Sequence, residues 1–418
     1  MNLKLQKSKI TKHQLPIAIS GSKSETNRLL LLQALFPEIQ IENASISDDS
    51  EVMKNILWQS KTSNLKLQTF DVHHAGTAMR FLTAYFAQKE NSEILLTGSS
   101  RMKERPIKIL VDALRELGAT IDYVENEGFP PLKIKGKKLI KNKVSLPANV
   151  SSQYISAVLL IAPKLENGID LTLEGKITSL PYIKMTLELL NYFGVETEFI
   201  NKRIKINSKF KIQNSKFVVE SDWSSVSYWY SIIALSEIGT ELTVANFKKS
   251  SLQGDALLTE IYEDFGVETI FNNNNSITIT KTNDNYKNQK SLIYNLQSTP
   301  DIAQTIAVTC FGLGIKCTLT GLHTLKIKET DRLKALQVEL TKLGATISIT
   351  AYSLHLQPSG IIKENVAITT YQDHRMAMAF APLAIKVPII INNANVVSKS
   401  YPNFWNHLQQ VGFTIQAQ

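Results

Sequence analysis

The sequence predicts an α/β chain of two similar domains, each assembled from three copies of one small unit. Three observations carry this reading. Five segments, LRELGATID, LLNYFGVETEF, IYEDFGVETIF, LTKLGATISI and LQQVGFTI, share one pattern of helix end, glycine and β-prone run. Their glycines, Gly118, Gly194, Gly266, Gly344 and Gly412, are spaced 76, 72, 78 and 68 residues apart. A period this regular marks repeated supersecondary units. The chain of 418 residues is also too long for one ordinary core. Finally, Pro and Gly punctuate short β-prone runs such as GFPPLKIKG and SITIT, so sheets of short strands are expected. The length leaves room for a sixth, degenerate copy near SEVMKNILWQSKTSNLKL, which would make two sets of three.

The N-terminal stretch MNLKLQKSKITKHQ has no apolar core of the kind a signal peptide needs. Ser20 to Phe36 then reads as a helix, with Ser22 as N-cap, Glu25 completing a capping box and Lys23 at the first helical position. Arg28 follows Ser24 by four residues and shares its face. Cations at a helix N-terminus run against the macrodipole, so this end reads either as solvated surface or as an anion site. Similar polar helix starts follow in HHAGTAMRFL (Gly76, Thr77, Arg80), NVSSQYISAVLL (Ser151, Ser152, Gln153) and TSLPYIKMTLELL (Ser179, Tyr182). The second half adds ESDWSSVSYWYSIIAL (Asp222, Ser224, Ser225), STPDIAQTIAV (Asp301), KIKETDRLKAL (Lys328, Glu329, Arg332) and YQDHRMAMAF (Asp373, His374, Arg375). The asparagine-rich FNNNNSITITKTNDNYKNQKS reads as a surface turn and loop without chemistry.

Taken singly, each polar start reads as a cap or a solvated first turn. As a set they carry more. Repeated units that place successive helices alike bring positive helix ends together, making an electropositive cleft that focuses anions. Arginines there suit bidentate grip on carboxylate or phosphate, and Asp301 and Glu329 would be available for proton transfer.

A net charge of +9 points to acidic partners. The basic residues are spread along the chain without a zinc-finger or RNA-recognition signature, which argues against nucleic acid and leaves small anionic metabolites. No run of 18 apolar residues is present, so no membrane span is expected. Cys310 and Cys317 fit small buried thiols in a reducing, cytoplasmic setting. The seven histidines are scattered, and neither a metal-ligand spacing nor a nucleotide-binding loop appears, so no metal and no cofactor are expected.

The motifs resemble those of the 5-enolpyruvylshikimate-3-phosphate synthase family of enolpyruvyl transferases. SGSKSETNR, HAGTAMR, GSSRMKERPI, VSSQY, PYIKMT, KETDRL, DHRMAM and VSKSYPNFW occur in that family's order across almost the whole chain. The resemblance implies a two-domain inside-out α/β barrel built from six repeated βαβαββ-like units. Residues 21–220 would form one domain and residues 1–20 with 221–418 the other. It implies transfer of the enolpyruvyl group of phosphoenolpyruvate to the 5-hydroxyl of shikimate 3-phosphate by addition–elimination, without a cofactor, by a monomer.

It also implies residue roles. Lys23, Arg105, Gly76, Gln153 and Lys399 would hold the phosphoenolpyruvate phosphate, and Arg332 and Arg375 its carboxylate, with Arg80 adding positive potential. Ser151, Ser152 and Ser179 would bind the shikimate phosphate, Ser24 and Arg28 the carboxylate, with Tyr182 beside them; Lys23, Gln153, Asp301 and Lys328 would also adjoin this substrate. Asp301 would be the base on the 5-hydroxyl and Glu329 the proton donor, with Lys328, Lys399 and Lys23 completing the catalytic set. His74, Phe81, Trp223 and Thr324 depart from the family's common residues and put the pocket's shape in question. Two rivals are a sister enzyme acting on UDP-N-acetylglucosamine and an RNA-end-binding protein of related fold. Like positive helix ends on two domains would also favour closure around anions.

Overall fold

The five repeat glycines all take positive φ, from 73° at Gly266 to 109° at Gly118. Four of them close Schellman motifs, in which the glycine amide and the next amide return to carbonyls of the last helical turn. At Gly118 these bonds are Gly118 N to Arg115 O and Ala119 N to Leu114 O, at 2.9 and 2.8 Å. Gly194, Gly344 and Gly412 repeat the pair. Each of the five then leads into a strand at the end of its sheet: Thr120–Tyr123, Thr197–Ile200, Val267–Phe271, Ile347–Ile349 and Ile415–Ala417. The sequence repeat is therefore one recurring event, a helix stop followed by an outer strand.

The structure, a computed structural model, describes residues 1–10, 15–62, 66–149, 151–288 and 291–418. It contains six small sheets. In Lys66–Asp71, Glu93–Thr97, Leu132–Lys135 and Thr120–Tyr123 the first pair is parallel and the others antiparallel. The sheet from Lys143–Pro147 to Thr197–Ile200 and the sheet from Leu292–Asn295 to Ile347–Ile349 repeat this pattern. In a further copy, Val366–Ile368 pairs with Ile389–Ile391, and the N-terminal strand Leu3–Leu5 supplies the third position before Ile415–Ala417. Two copies are reduced. Glu241–Ala245, Ser276–Lys281 and Val267–Phe271 make three strands, with Ile17 bridging Val244 where a parallel first strand would lie. Gln40–Glu42 with Lys216–Val218 make a two-stranded sheet.

That two-stranded sheet is the expected sixth, degenerate copy, and it refines which residues build it. The stretch proposed as the degenerate copy is the helix Asp48–Thr62, and the strand Lys66–Asp71 after it opens the next sheet instead of closing its own. Residues 63–65 within it lie outside those described. The asparagine-rich piece is also more ordered than a loop: Ser276–Lys281 is the middle strand of its sheet, although residues 289–290 fall outside those described.

The chain divides into two compact units, Gly21–Val219 and Met1–Ser20 with Glu220–Gln418, and each holds three of the six sheets. Strands such as Leu132–Lys135 and Arg203–Ile206 alternate buried and exposed residues, so one sheet face meets solvent. At least one helix of each unit is buried nearly all round. Gly76–Gln88 exposes only Thr77 and Gln88, Ser152–Ile161 only Gln153, and Trp223–Leu235 only Ser224. A helix apolar on every side belongs in a core. These helices are thus central and the sheets peripheral in each unit, and the few half-buried polar residues of these helices are mostly in their first turns.

Candidate active site

In the unit Gly21–Val219, Ser22 caps the helix Lys23–Leu35 by accepting from the Glu25 amide at 3.5 Å. Lys23 takes the first helical position, and its Nζ lies 3.6 Å from Asp49 Oδ2. Arg28, one turn on, is buried. Its nitrogens donate to Thr186 Oγ1 (2.8 Å), Ser24 O (2.7 Å), Ser156 Oγ (3.0 Å) and Tyr182 O (3.3 Å). All four acceptors are neutral. The rings of Phe81 and Tyr182 flank the guanidinium, with centroids 5.6 and 5.9 Å away. Burial pulls the Arg28 pKa down to about 10, against the opposing pull of Tyr182 and Glu25. A desolvated cation held by neutral groups gains from an anionic ligand.

The Gly76–Gln88 helix starts without a side-chain cap bond. A Cβ on Gly76 would sit 2.6 Å from both terminal nitrogens of Arg105, so the guanidinium lies against the bare glycine. Arg105 Nε is buried without a hydrogen-bond partner among the described residues. Arg80 does not reach outward: it donates to Gly76 O at 3.2 Å and Pro106 O at 2.9 Å. Tyr154 also donates to Pro106 O, at 2.6 Å, so Arg80 and Tyr154 fix the backbone that carries Arg105. Gln153 Nε2 donates to Thr77 Oγ1 at 3.0 Å, joining the starts of two buried helices. Ser151 caps the Ser152–Ile161 helix through the Gln153 amide; Val150, within the NVSSQY motif, lies outside the described residues. Ser179 precedes the helix Leu180–Tyr192 in the left-handed region (φ 55°, ψ 40°), with its hydroxyl not used as a cap. Such a conformation costs a non-glycine residue about 1 kcal/mol or more and is typical of functional sites.

The second unit gathers the acids. Asp301 lies in the 3-10 turn Pro300–Ile302, which runs into the helix Ala303–Leu313. Its Oδ1 accepts from Arg332 at 2.9 Å with Lys328 Nζ 3.6 Å away, and Arg375 lies 3.2 Å from Oδ2. Arg375 also donates to the Asp301 carbonyl at 3.1 Å, while its Nε is buried without a partner among the described residues. Arg332 opens the helix Arg332–Lys342 behind the cap Asp331 and is buried. It meets three carboxylates: Asp373 at 2.7 Å, Glu329 at 2.8 Å and Asp301. Burial alone would raise the Asp301 pKa, but Arg375, Lys328 and Arg332 together hold it well below the usual carboxylate range. Burial likewise works against the Arg332 cation, and Asp373, Glu329 and Asp301 outweigh it, raising its pKa.

Lys399 Nζ donates to the Gln372 carbonyl at 2.7 Å. Tyr371 and Gln372 are consecutive left-handed residues, at φ 52° and 57°. Buried Glu339 ties this bend down, accepting from Tyr371 Oη (2.6 Å), the Thr369 amide (3.1 Å) and Lys342 Nζ (2.8 Å). Glu339→Gln removes the charge and turns one acceptor into a donor. It is expected to destabilise the fold by about 2–4 kcal/mol, read as a lower denaturation midpoint at unchanged m-value.

A model of the EPSP synthase (3-phosphoshikimate 1-carboxyvinyltransferase) family matches residues 7–408. The chain belongs to that family. It is 43% identical over 416 residues to the 3-phosphoshikimate 1-carboxyvinyltransferase of Bacteroides fragilis strain YCH46, covering 96% of each chain. It is 36% identical to that of Colwellia psychrerythraea, covering 94% of this chain and 96% of the relative. The fold matches the EPSP synthase of Acinetobacter baumannii over the full length of both chains (TM-score 0.79, 19% identity). It also matches the enolpyruvyl transferase NikO of Streptomyces tendae over 99% and 98% of the two chains (TM-score 0.71, 13% identity). The fold is the α/β enolpyruvyl transferase fold expected from the resemblance, and this EPSP synthase family member is a transferase. The sugar-nucleotide and RNA-end rivals are set aside on these matches.

Two departures from the family pattern have plain structural explanations. Trp223 is fully buried, packed edge-on against Phe247 with its indole N–H donated to Glu220 at 2.8 Å, so its bulk is absorbed by the core. Phe81 forms one wall of the Arg28 cage. Thr324 is buried with its hydroxyl unpartnered among the described residues, and His74 is half-buried beside the Gly76 helix start. Sequence reasoning missed Asp49, Ser156, Thr186 and Glu339. Asp49 carried a faint signal, as an acid in a helix's first turn. The others lie mid-helix with no local cue.

Proposed function

We propose that the enzyme transfers the carboxyvinyl group of phosphoenolpyruvate to O5 of shikimate 3-phosphate in the shikimate pathway, with the two residue clusters in distinct roles. In the unit Gly21–Val219, Arg28 and Ser24 take the shikimate carboxylate, and Ser151, Ser152 and Ser179 the shikimate phosphate, with Tyr182 and Gln153 beside it. Lys23, Arg105, Gln153, the Gly76 backbone and Lys399 are assigned to the phosphoenolpyruvate phosphate. Arg80 acts as support for the Arg105 backbone. Arg332 and Arg375 take the phosphoenolpyruvate carboxylate. The two compact units are its proposed domains.

The observation that carries the chemistry is Asp301 held by Arg332, Arg375 and Lys328, with Glu329 on the same arginine. While the arginines hold Asp301 it is a weak base. A substrate carboxylate competes for the same N–H groups and returns basicity to Asp301, so binding and activation are coupled. Asp301 then takes the O5 proton as O5 bonds to C2 of phosphoenolpyruvate, and Glu329 delivers a proton to C3. In the second half a proton leaves C3, the C2–C3 double bond re-forms, and the bond from C2 to the phosphate oxygen breaks. The departing phosphate carries the proton that O5 gave up, passed to it by Lys328 and Lys399. Cationic side chains offset the charge that builds in the tetrahedral intermediate.

The test is phosphate release with phosphoenolpyruvate and shikimate 3-phosphate, with UDP-N-acetylglucosamine as the parallel acceptor. Release that needs shikimate 3-phosphate supports the reading, and release only with the sugar nucleotide overturns it. Gly76→Ala serves as a local probe. Its Cβ pushes the Arg105 guanidinium aside, so KM for phosphoenolpyruvate should rise about tenfold with little change in melting temperature. Buried, unpaired Cys310 and Cys317 agree with a cytoplasmic enzyme. A monomer is expected by light scattering. No helix among the described residues is long and apolar enough to cross a membrane.

A further inference from the structure

Asp255 lies outside every motif singled out above, in the 3-10 turn Gly254–Leu257 that leads into the helix Leu258–Glu263. It is 4% exposed. Two hydroxyls are committed to it: Thr299 donates to Oδ1 and Ser224 to Oδ2. Each of these leads to the chemistry by one further step. Thr299 is the N-cap residue of the turn that carries Asp301. Ser224 Oγ, in the first turn of Trp223–Leu235, accepts from Arg375 at 3.4 Å. Asp255 thus joins the segments that present Asp301 and Arg375 without pairing with either directly.

We propose that Asp255 is a positioning residue for the transfer reaction: its carboxylate orients the Ser224 and Thr299 hydroxyls and so holds Arg375 and the Asp301 turn in their working geometry. This rests on the roles given above to Asp301 and Arg375.

A serine hydroxyl has one hydrogen and two lone pairs. With the hydrogen spent on Asp255, Ser224 can only accept from Arg375, which is what a guanidinium needs. Protonate Asp255, and one of its oxygens must donate. If it donates to Ser224, the serine hydrogen turns toward Arg375 and places donor against donor. If it donates to Thr299, that hydroxyl loses its acceptor on Asp255, and the residue that leads into the Asp301 turn is released instead. The ionised form is the only one that satisfies both hydroxyls and leaves Arg375 its acceptor.

The charged groups acting on Asp255 are few. Asp301 faces it from the turn before Ala303–Leu313, and Arg375 from the helix His374–Phe380. The Trp223–Leu235 helix contributes the Ser224 hydroxyl, while its Asp222 carboxylate caps the Ser225 amide at 2.7 Å. Glu260 and Glu263, on the helix that continues from Asp255, are exposed. Burial, helped by the Asp301 charge, pushes the Asp255 carboxyl up to about 6, while Arg375 and the two hydroxyls pull the other way. An acid raised to this level is ionised above about pH 6 and becomes protonated as pH falls through it. The positioning should therefore be present at neutral pH and fade on the acid side.

The experiment is steady-state phosphate release from pH 5 to 8 at saturating shikimate 3-phosphate and varied phosphoenolpyruvate, with the wild type, Asp255→Asn and Ser224→Ala. The carboxamide of Asp255→Asn must donate to one hydroxyl at every pH, so kcat/KM for phosphoenolpyruvate should fall about ten- to a hundredfold at pH 7.5. The acid inflection near 6 should flatten relative to the wild type, which separates Asp255 from titration of the substrates' own phosphates. Ser224→Ala should reproduce the loss through KM, and it serves alone if Asp255→Asn does not fold. In parallel, the Arg375 side-chain N–H signal in nitrogen-15 NMR, assigned with Arg375→Lys, should shift near pH 6 in the wild type and not in Asp255→Asn. Wild-type kcat/KM in both variants with no Arg375 inflection overturns the inference. A wild-type enzyme that releases no phosphate while the Arg375 inflection persists would overturn the assigned reaction and leave the positioning of Arg375 standing.

Discussion

Asp301→Ala should lower shikimate-3-phosphate-dependent phosphate release by about a thousandfold, the scale expected when a positioned general base is lost. The same substitution should cost about 2–3 kcal/mol of stability. It strips Arg375 of its only ion-pair carboxylate among the described residues, while Arg332 keeps Asp373 and Glu329. The pH dependence follows from the depressed Asp301 pKa. A carboxylate held below its unfolded value contributes stability above about pH 4 and loses it as pH falls further. Asp301→Ala should accordingly flatten the acid limb of the stability curve below about pH 4. A variant that keeps wild-type turnover would remove Asp301 from the chemistry, whatever its stability.

Arg28→Met should show the opposite balance. The guanidinium is buried against neutral acceptors and two rings, and its partners can satisfy one another when it is gone. Ser156 and Thr186 share a hydrogen bond of 2.9 Å, and Thr186 donates to Tyr182 O at 2.9 Å. A methionine of similar length fills the cage without a desolvated charge, so the ligand-free protein should keep its stability or gain about 1 kcal/mol. Affinity for shikimate 3-phosphate should nonetheless fall about a hundredfold or more, since the substrate carboxylate loses a desolvated charge partner. Thermal melting and calorimetric titration read the two effects separately. Severe destabilisation with intact affinity would make Arg28 a structural cation and not a ligand for the substrate.

These two residues show how differently parts of the site can be read. Arg28 and Lys23 are visible in the sequence because cations in a first turn conflict with the helix dipole, a conflict confined to a few consecutive residues. Asp301 is visible as an acid at a helix start. Trp223 looks from the sequence like a threat to the pocket, yet the structure buries it against Phe247, a residue 24 positions away. Asp255 and Glu339 carry no signal at all. Their importance comes from three hydroxyls and an amide brought to them from 30 or more positions along the chain.

The sequence by itself determined the repeat and the helix stops and caps, and it singled out Lys23, Arg28, Asp301 and Arg332 as charged residues at helix starts. Glycine in the left-handed region, a Ser or Asp at an N-cap and an apolar helix are decided within one or two turns of chain, so their causes lie in adjacent letters. The tertiary structure alone decided which cation meets which carboxylate, where Arg105 rests, and that the groups caging Arg28 are all neutral. Those outcomes depend on desolvation and on Coulomb interactions across a folded interior, which act between groups that the chain order keeps far apart.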